Sequence, residues 1–139
     1  MKLLAKTYVL DAKAILDFLG DGPGAPTMER LFRDVSRSDA ALMVSVINLG
    51  EVFYRLWDNK GEQEALRAIH DLALLPVQFV AVDLAGALKA GELKTRHKMP
   101  YVDCIAAALA IEQRATLVTG DRDFEKLGRQ FPVLWLNRR

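Results

Sequence analysis

The sequence predicts an α/β fold in which a short parallel β-sheet is covered by helices on both faces. Five short apolar segments have the composition of buried strands, and helical periodicity fills most of the chain between them. Strands that are apolar along their whole length and alternate with helices are typical of parallel sheets. The chain has 139 residues, 51% of them hydrophobic. We therefore expect one domain that spans residues 1–139.

The predicted strands are runs of apolar and β-branched residues that end at turn residues or helix caps. They cover residues 7–10, 41–44, 77–82, 116–118 and 133–136. Residues 20–26, rich in glycine and proline, are predicted to form a loop.

Helical spacing of apolar residues predicts the elements between the strands. The first helix places Ala14, Ile15 and Phe18 on one face, and the second repeats apolar residues over 28–35. Ser45 is the predicted N-cap of a third helix, which carries Glu51, and a fourth covers residues 61–75.

The last two predicted helices also have recognisable ends. Asp83 is a suitable cap for a helix that closes with the basic run at 94–98, which the helix dipole favours. Pro100 fits the first turn of the next helix, whose body at 103–113 is rich in strong helix formers.

Composition excludes several classes of protein. Cys104 is the only cysteine, so neither an internal disulfide nor a cysteine-based zinc site is expected. With two histidines, a histidine-rich metal site is not expected either. The short apolar start does not fit a secretory signal, and no segment reaches the length of a membrane span. We expect a cytoplasmic protein without membrane contact.

Four acidic residues interrupt the most hydrophobic segments of the chain. They are Asp11, Glu51, Asp103 and Asp121. Carboxylates are costly in apolar surroundings unless a cation compensates them, so a divalent metal in a shared pocket explains all four together. Read singly, each has a simpler explanation, such as a helix cap, a solvated helix position or a turn.

Their positions along the chain predict that these side chains meet. Asp11 directly follows the first strand, and Asp121 follows the fourth, so both lie at the carboxyl edge of a parallel sheet, where ligands bind. Glu51 is one and a half helical turns beyond Ser45, and Asp103 lies in the first turn of its helix. Magnesium prefers such oxygen ligands, together with water or phosphate. Hydrolysis of a nucleic-acid backbone uses a site of this kind most directly.

Four blocks of sequence resemble the PIN-domain ribonucleases and, within them, the VapC toxins of toxin–antitoxin pairs. The blocks are YVLDAKAIL, SVINLGEVFYRL, MPYVDCIAAALA and TLVTGDRDFEKL, in family order. The resemblance implies a three-layer α/β/α fold and a metal-binding set of Asp11, Glu51, Asp103 and Asp121. It adds Asp123 as a further acidic ligand and Thr119 as a supporting hydroxyl.

The same resemblance implies an activity and partners. The activity is that of a metal-dependent endoribonuclease, in which a water activated by Mg²⁺ or Mn²⁺ hydrolyses an RNA phosphodiester. The expected partners are the RNA substrate, a VapB-type antitoxin that inhibits the toxin, and a second copy of the chain in a homodimer.

Lys13 departs from the family pattern, which commonly has a small hydroxyl or amide residue at that position. A lysine there can contact a substrate phosphate or partly neutralise the acidic pocket. The second effect suggests an alternative function, a catalytically weakened PIN fold that binds RNA or protein. A phosphatase of the haloacid dehalogenase type is a weaker alternative, because it needs an aspartate where Lys13 stands.

Overall fold

The computed structural model of the protein describes residues 6–20 and 22–136. Five strands are formed: β1 (Thr7–Leu10), β2 (Ala41–Ser45), β3 (Gln78–Val80), β4 (Thr116–Thr119) and β5 (Val133–Trp135). All pair in parallel, in the order β3-β2-β1-β4-β5. The predicted parallel α/β fold is confirmed.

In these two described stretches, six α-helices and one 3₁₀ helix accompany the strands. The helices are α1 (Ala12–Leu19), α2 (Ala25–Ser36), α3 (Val46–Lys60), α4 (Glu62–Ala73), α5 (Leu84–His97) and α6 (Tyr101–Glu112), and the 3₁₀ helix covers Arg122–Leu127. None of the helices in the described parts of the chain is long and apolar enough to cross a membrane.

The strand order places a topological switch point at the centre of the sheet. The chain builds outward from β1 to β3, then returns to the other side of β1 to form β4 and β5. Helix connections therefore leave a crevice at the carboxyl ends of β1 and β4, the usual ligand position in such sheets.

Two hydrophobic cores lie on opposite faces of the sheet because successive strand residues point to opposite sides. Leu10 and Val118 belong to the core that also contains buried residues of α1, α2, α3 and α4. Val9 and Leu117 belong to the second core, with buried residues of α5 and α6. This arrangement confirms the three-layer α/β/α architecture.

Helix α6 is buried on nearly all sides. Its residues from Cys104 to Ala110 are all buried, and four of the twelve residues in the helix are alanine. Small side chains allow the helix backbone to approach its neighbours closely. The alanine-rich segment therefore serves close packing of α6 in the interior.

The predicted caps at Ser45 and Asp83 are confirmed. The Asn48 amide donates to Ser45 Oγ at 3.0 Å, and the Gly86 amide donates to Asp83 Oδ1 at 2.8 Å. Each bond satisfies one of the amides that a helix start leaves without an intrahelical acceptor.

Several element boundaries differ from the predictions. Helix α2 begins at Ala25, inside the predicted loop, because Pro26 occupies its first turn, where a missing N–H costs no hydrogen bond. Pro100 is the N-cap residue of α6, so it precedes the first turn. The 3₁₀ helix at Arg122–Leu127 was not predicted, since its GDRD start has turn composition.

Candidate metal centre

Asp11 lies where β1 becomes α1, and both of its carboxylate oxygens accept hydrogen bonds. The Ala14 amide donates to Oδ1 at 2.7 Å, and the Thr119 hydroxyl donates to Oδ2. The side chain is buried, with 3% of its residue surface exposed. Burial raises the pKa of Asp11 to about 7, with smaller contributions in the same direction from Asp103 and Asp121, while the two hydrogen bonds oppose the shift.

Thr119 connects this carboxylate to the segment that follows β4. The threonine is completely buried at the end of its strand, and its hydroxyl also accepts a hydrogen bond from the Asp121 amide at 2.9 Å. One hydroxyl group thus fixes the position of Asp11 relative to the start of the 3₁₀ helix.

Asp121 and Asp123 lie on the first residues of that segment. The Asp123 amide donates to Asp121 Oδ1 at 2.9 Å, which makes Asp121 the cap of the 3₁₀ helix. One carboxylate oxygen from each of Asp121, Asp123 and Asp103 lies within 4.8 Å of the other two. The structure therefore brings three of the five predicted acidic ligands into a single cluster.

Asp103 reaches this cluster from the first turn of α6. Burial raises the pKa of Asp103 to about 6, and the charges of Asp121, Glu51 and Asp123 act in the same direction, while Arg55 opposes them. Asp103 is thus both partly buried and close to other carboxylates.

A buried amide side chain sets the position of α6. The Ser45 hydroxyl donates to Asn48 Oδ1 at 2.6 Å, and Asn48 Nδ2 donates to the Val102 carbonyl oxygen at 3.0 Å. Asn48 thus joins the first turn of α3 to the residue before Asp103. The sequence analysis missed Asn48, although an amide residue within an apolar helix start is a recognisable signal of buried hydrogen bonding.

Glu51 lies on α3 with a buried carboxylate and a basic partner. Arg55, one helical turn further on, approaches Glu51 Oε2 at 3.1 Å. After burial, the charge of Glu51 is one of the contributions that raise the pKa of Asp103. The sequence analysis also missed Arg55, although its spacing of four residues from Glu51 is the usual spacing of helical ion pairs.

Lys13 lies on the exposed side of α1. Within residues 6–20 and 22–136, no hydrogen bond or ion pair connects Lys13 to the acidic side chains. Its side chain is exposed, whereas that of Asp11 two residues earlier is buried.

The donor set of the cluster suits a hard divalent cation. Asp103, Asp121 and Asp123 each offer a carboxylate oxygen within a small volume, and their mutual repulsion in that volume is relieved by a cation. Asp11 and Glu51 add negative charge beside the cluster, but their oxygens already contact Thr119, Ala14 and Arg55.

The parallel sheet, the switch point and the acidic cluster define an α/β domain with a carboxylate site at its sheet edge. The family model of the PIN domain matches residues 8–130, and the chain belongs to the PIN domain family. No curated protein matches the sequence.

Solved structures with the same fold include proteins of toxin–antitoxin systems. DNA-bound VapBC from Salmonella typhimurium has 18% identity and a TM-score of 0.73, with 96% of this chain and 99% of that chain covered. VapBC2 from Rickettsia felis, bound to a promoter DNA fragment, has 19% identity and a TM-score of 0.71, with 92% and 97% covered.

A third structure is the sarcin–ricin loop cleaving toxin VapC20 from Mycobacterium tuberculosis. It has 23% identity and a TM-score of 0.69, with 87% of this chain and 95% of that chain covered. The resemblance to VapC toxins seen in the sequence is therefore borne out in the fold.

The metal-free protein should lose stability as the pH rises through the weakly acidic range. Asp11 has a pKa of about 7 and Asp103 of about 6 in the folded protein, against 3.8 ordinarily. Between these values the folded state binds more protons than the unfolded state, so the free energy of unfolding falls as pH rises. Thermal unfolding in EDTA from about pH 4.5 to about pH 8 measures this contribution. Comparing wild type with Asp103→Asn isolates the part of this pH dependence that comes from Asp103. Parallel stability profiles of the two proteins would contradict the contribution of Asp103.

Asp103→Asn should stabilise the metal-free protein near neutral pH and weaken its response to metal. Removing one clustered charge should raise the free energy of unfolding by about 1 kcal/mol. This is the free-energy equivalent of about one pKa unit after allowance for solvent screening. The increase in melting temperature on adding Mn²⁺ should become smaller. The matched control is Asp39→Asn, at an exposed position before β2. Equal metal responses in all three proteins would place Asp103 outside the metal centre.

Proposed function

We propose that this protein is a metal-dependent endoribonuclease that acts as the toxin of a toxin–antitoxin pair and hydrolyses RNA phosphodiester bonds. The observation that carries the proposal is the cluster of Asp103, Asp121 and Asp123 at the switch point of a PIN domain. It is supported by the fold shared with VapC20, described as a sarcin–ricin loop cleaving toxin.

The proposed ion is Mg²⁺ or Mn²⁺, held by Asp103, Asp121 and Asp123, with Asp11 and Glu51 completing the acidic environment. Bound there, a divalent cation would lower the pKa of a water molecule and offset the charge that develops on the phosphate. The RNA backbone would approach from the carboxyl edge of the sheet, where these side chains are grouped.

Hydrogen bonds within the protein hold the acidic side chains of this site in position. The Thr119 hydroxyl holds Asp11 and the Asp121 backbone in one arrangement. Asn48 holds the start of α6, so Asp103 faces the other aspartates without rearrangement. Positions fixed by buried hydrogen bonds reduce the reorganisation required when substrate binds.

The proposed protein partner is a VapB-type antitoxin, because structures with the same fold include VapBC complexes. We further propose a homodimer, since the apolar side chains of Leu84, Leu88 and Tyr101 are exposed on α5 and the start of α6. A toxin that cleaves cellular RNA would act in the cytoplasm.

A catalytically weakened PIN fold that binds RNA or protein is the alternative. It is favoured by contacts that already engage two of the expected metal ligands. Asp11 accepts hydrogen bonds from Thr119 and Ala14, and Glu51 forms an ion pair with Arg55. Such a protein would bind RNA without consuming it, so cleavage assays distinguish the two functions.

The purified protein should cleave single-stranded RNA in the presence of Mg²⁺ or Mn²⁺ and stop when EDTA is added. Asp121→Asn should lower kcat at least about a hundredfold, because a ligand in the reacting centre is lost. Asp39→Asn is the matched control and should retain wild-type activity. Gel or fluorescence assays of RNA cleavage measure both, and robust EDTA-resistant cleavage by Asp121→Asn would refute a metal-dependent nuclease.

Lys13→Ser tests whether the exposed lysine binds the substrate backbone. Loss of one phosphate contact should raise KM and reduce the salt dependence of RNA binding by about 0.7 in the logarithmic slope, the value for one contact to a single strand. Lys6→Ser, exposed before β1, is the matched control. Tighter Mn²⁺ binding with an unchanged salt slope would show instead that Lys13 competes with the metal.

A further inference from the structure

Trp135 lies in the same row of the sheet as two residues of the candidate metal centre. In the sheet register, Leu10 pairs with Val118, and Thr119 pairs with Trp135. Asp11 follows Leu10 as Thr119 follows Val118, so a row across the carboxyl edge contains Asp11, Thr119 and Trp135. With neighbouring strands ~4.8 Å apart, the Trp135 backbone lies roughly 10 Å from that of Asp11.

The side chains of this row point to the same face of the sheet. Trp135 packs against the core that contains Val9 and Leu117. Asp11 is two residues beyond Val9, and Thr119 is two residues beyond Leu117, so alternation places both on that face as well. The hydrogen bond between Thr119 and Asp11 agrees with this assignment. The indole therefore lies on the same face of the sheet as Asp11 and Thr119.

A guanidinium group accompanies the indole. The Arg122 guanidinium carbon lies 5.4 Å from the centre of the Trp135 ring, and Arg122 also pairs with Glu125. Arg122 stands between Asp121 and Asp123 in the sequence, and 61% of its side chain is exposed. Trp135 and Arg122, here termed the Trp135 platform, thus present a planar aromatic and cationic surface next to the metal centre.

A cavity of about 710 Å³ opens beside the platform. It lies between β5 and the segment around the 3₁₀ helix, and its lining includes Phe124, Arg129 and Phe131 as well as Trp135. A cavity of this volume is large enough for a nucleobase. Its lining also contains Glu125, the ion-pair partner of Arg122, so aromatic rings, Arg129 and one carboxylate surround the cavity.

The chemistry of the platform fits a nucleobase of single-stranded RNA. Unpaired bases bind to proteins by stacking on aromatic rings and on arginine guanidinium planes. The acidic cluster with its cation would hold a phosphate, and Arg122 of the platform lies between two residues of that cluster in the sequence, Asp121 and Asp123. The Trp135 backbone is two strand spacings from that of Asp11, a distance on the scale of one nucleotide.

We propose that the Trp135 platform binds the base of a nucleotide adjacent to the scissile phosphate and contributes to the choice of cleavage site. This inference rests on the proposed ribonuclease function. It assigns substrate recognition to Trp135 and Arg122, residues outside the acidic set.

Kinetics on a pool of short random single-stranded RNAs tests the platform in Mg²⁺. Trp135→Leu should raise KM about tenfold, within the range for loss of one base stack, with kcat nearly unchanged. Trp135→Phe should preserve most of the binding because it keeps a stacking ring. Trp57→Leu is the matched control on α3, half-exposed in the structure, and should leave KM unchanged.

Sequencing of the products should show a weaker base preference beside the cut only in Trp135→Leu. Unchanged KM and preference in a folded Trp135→Leu would overturn the proposal.

Fluorescence gives a test that does not require replacing Trp135. The chain has two tryptophans, so Trp57→Phe leaves Trp135 as the only one. Octauridylate should quench its emission, whereas heparin, a polyanion without bases, should not.

The two measurements separate the proposals. Cleavage of the RNA pool without quenching by octauridylate would overturn the platform and leave the ribonuclease function intact. Quenching by octauridylate without cleavage of the pool would support the platform as an RNA-binding surface and refute the ribonuclease function. Absence of both would overturn both proposals.

Discussion

The hydrogen bond from Thr119 to Asp11 is the interaction on which the arrangement of the site depends. It joins the ends of β1 and β4, the two strands that flank the switch point of the sheet. The same hydroxyl accepts from the Asp121 backbone, and the other Asp11 oxygen caps α1. A buried carboxylate is tolerated here because each of its oxygens has a donor. The strand ends, the first helix and the acidic loop are thereby fixed relative to one another.

The acidic cluster concentrates like charge where the fold offers little compensation. Burial and then three carboxylates raise the pKa of Asp103, while Arg55 is the cation that lowers it. Folding alone does not favour this arrangement, because protonation or a bound cation lowers the energy of the site. Repulsion among the carboxylates destabilises this part of the metal-free protein, and a bound cation would relieve it. Sites of this kind are commonly functional.

Much of the fold could be predicted because strong local signals agreed with one another. The five strands, the Ser45 cap and the edge positions of Asp11 and Asp121 followed from apolar runs that end at capping residues. The 3₁₀ helix was missed because its GDRD start also suits a turn, and hydrogen bonding to Asp121 decides between them. Asn48 and Arg55 were missed because their roles depend on contacts: one with Val102, far along the chain, and one with a carboxylate that only the fold buries.

The alanine-rich helix α6 makes the geometry of the site dependent on methyl groups. Asp103 is carried at one end of a helix whose residues from Cys104 to Ala110 are all buried, so the helix has almost no surface that can change freely. A larger side chain at Ala106 or Ala107 cannot turn toward solvent, so the whole helix must move to accommodate it. That displacement would carry Asp103 away from Asp121 and Asp123. In this protein the packing of the interior and the spacing of the charged groups therefore have to evolve together.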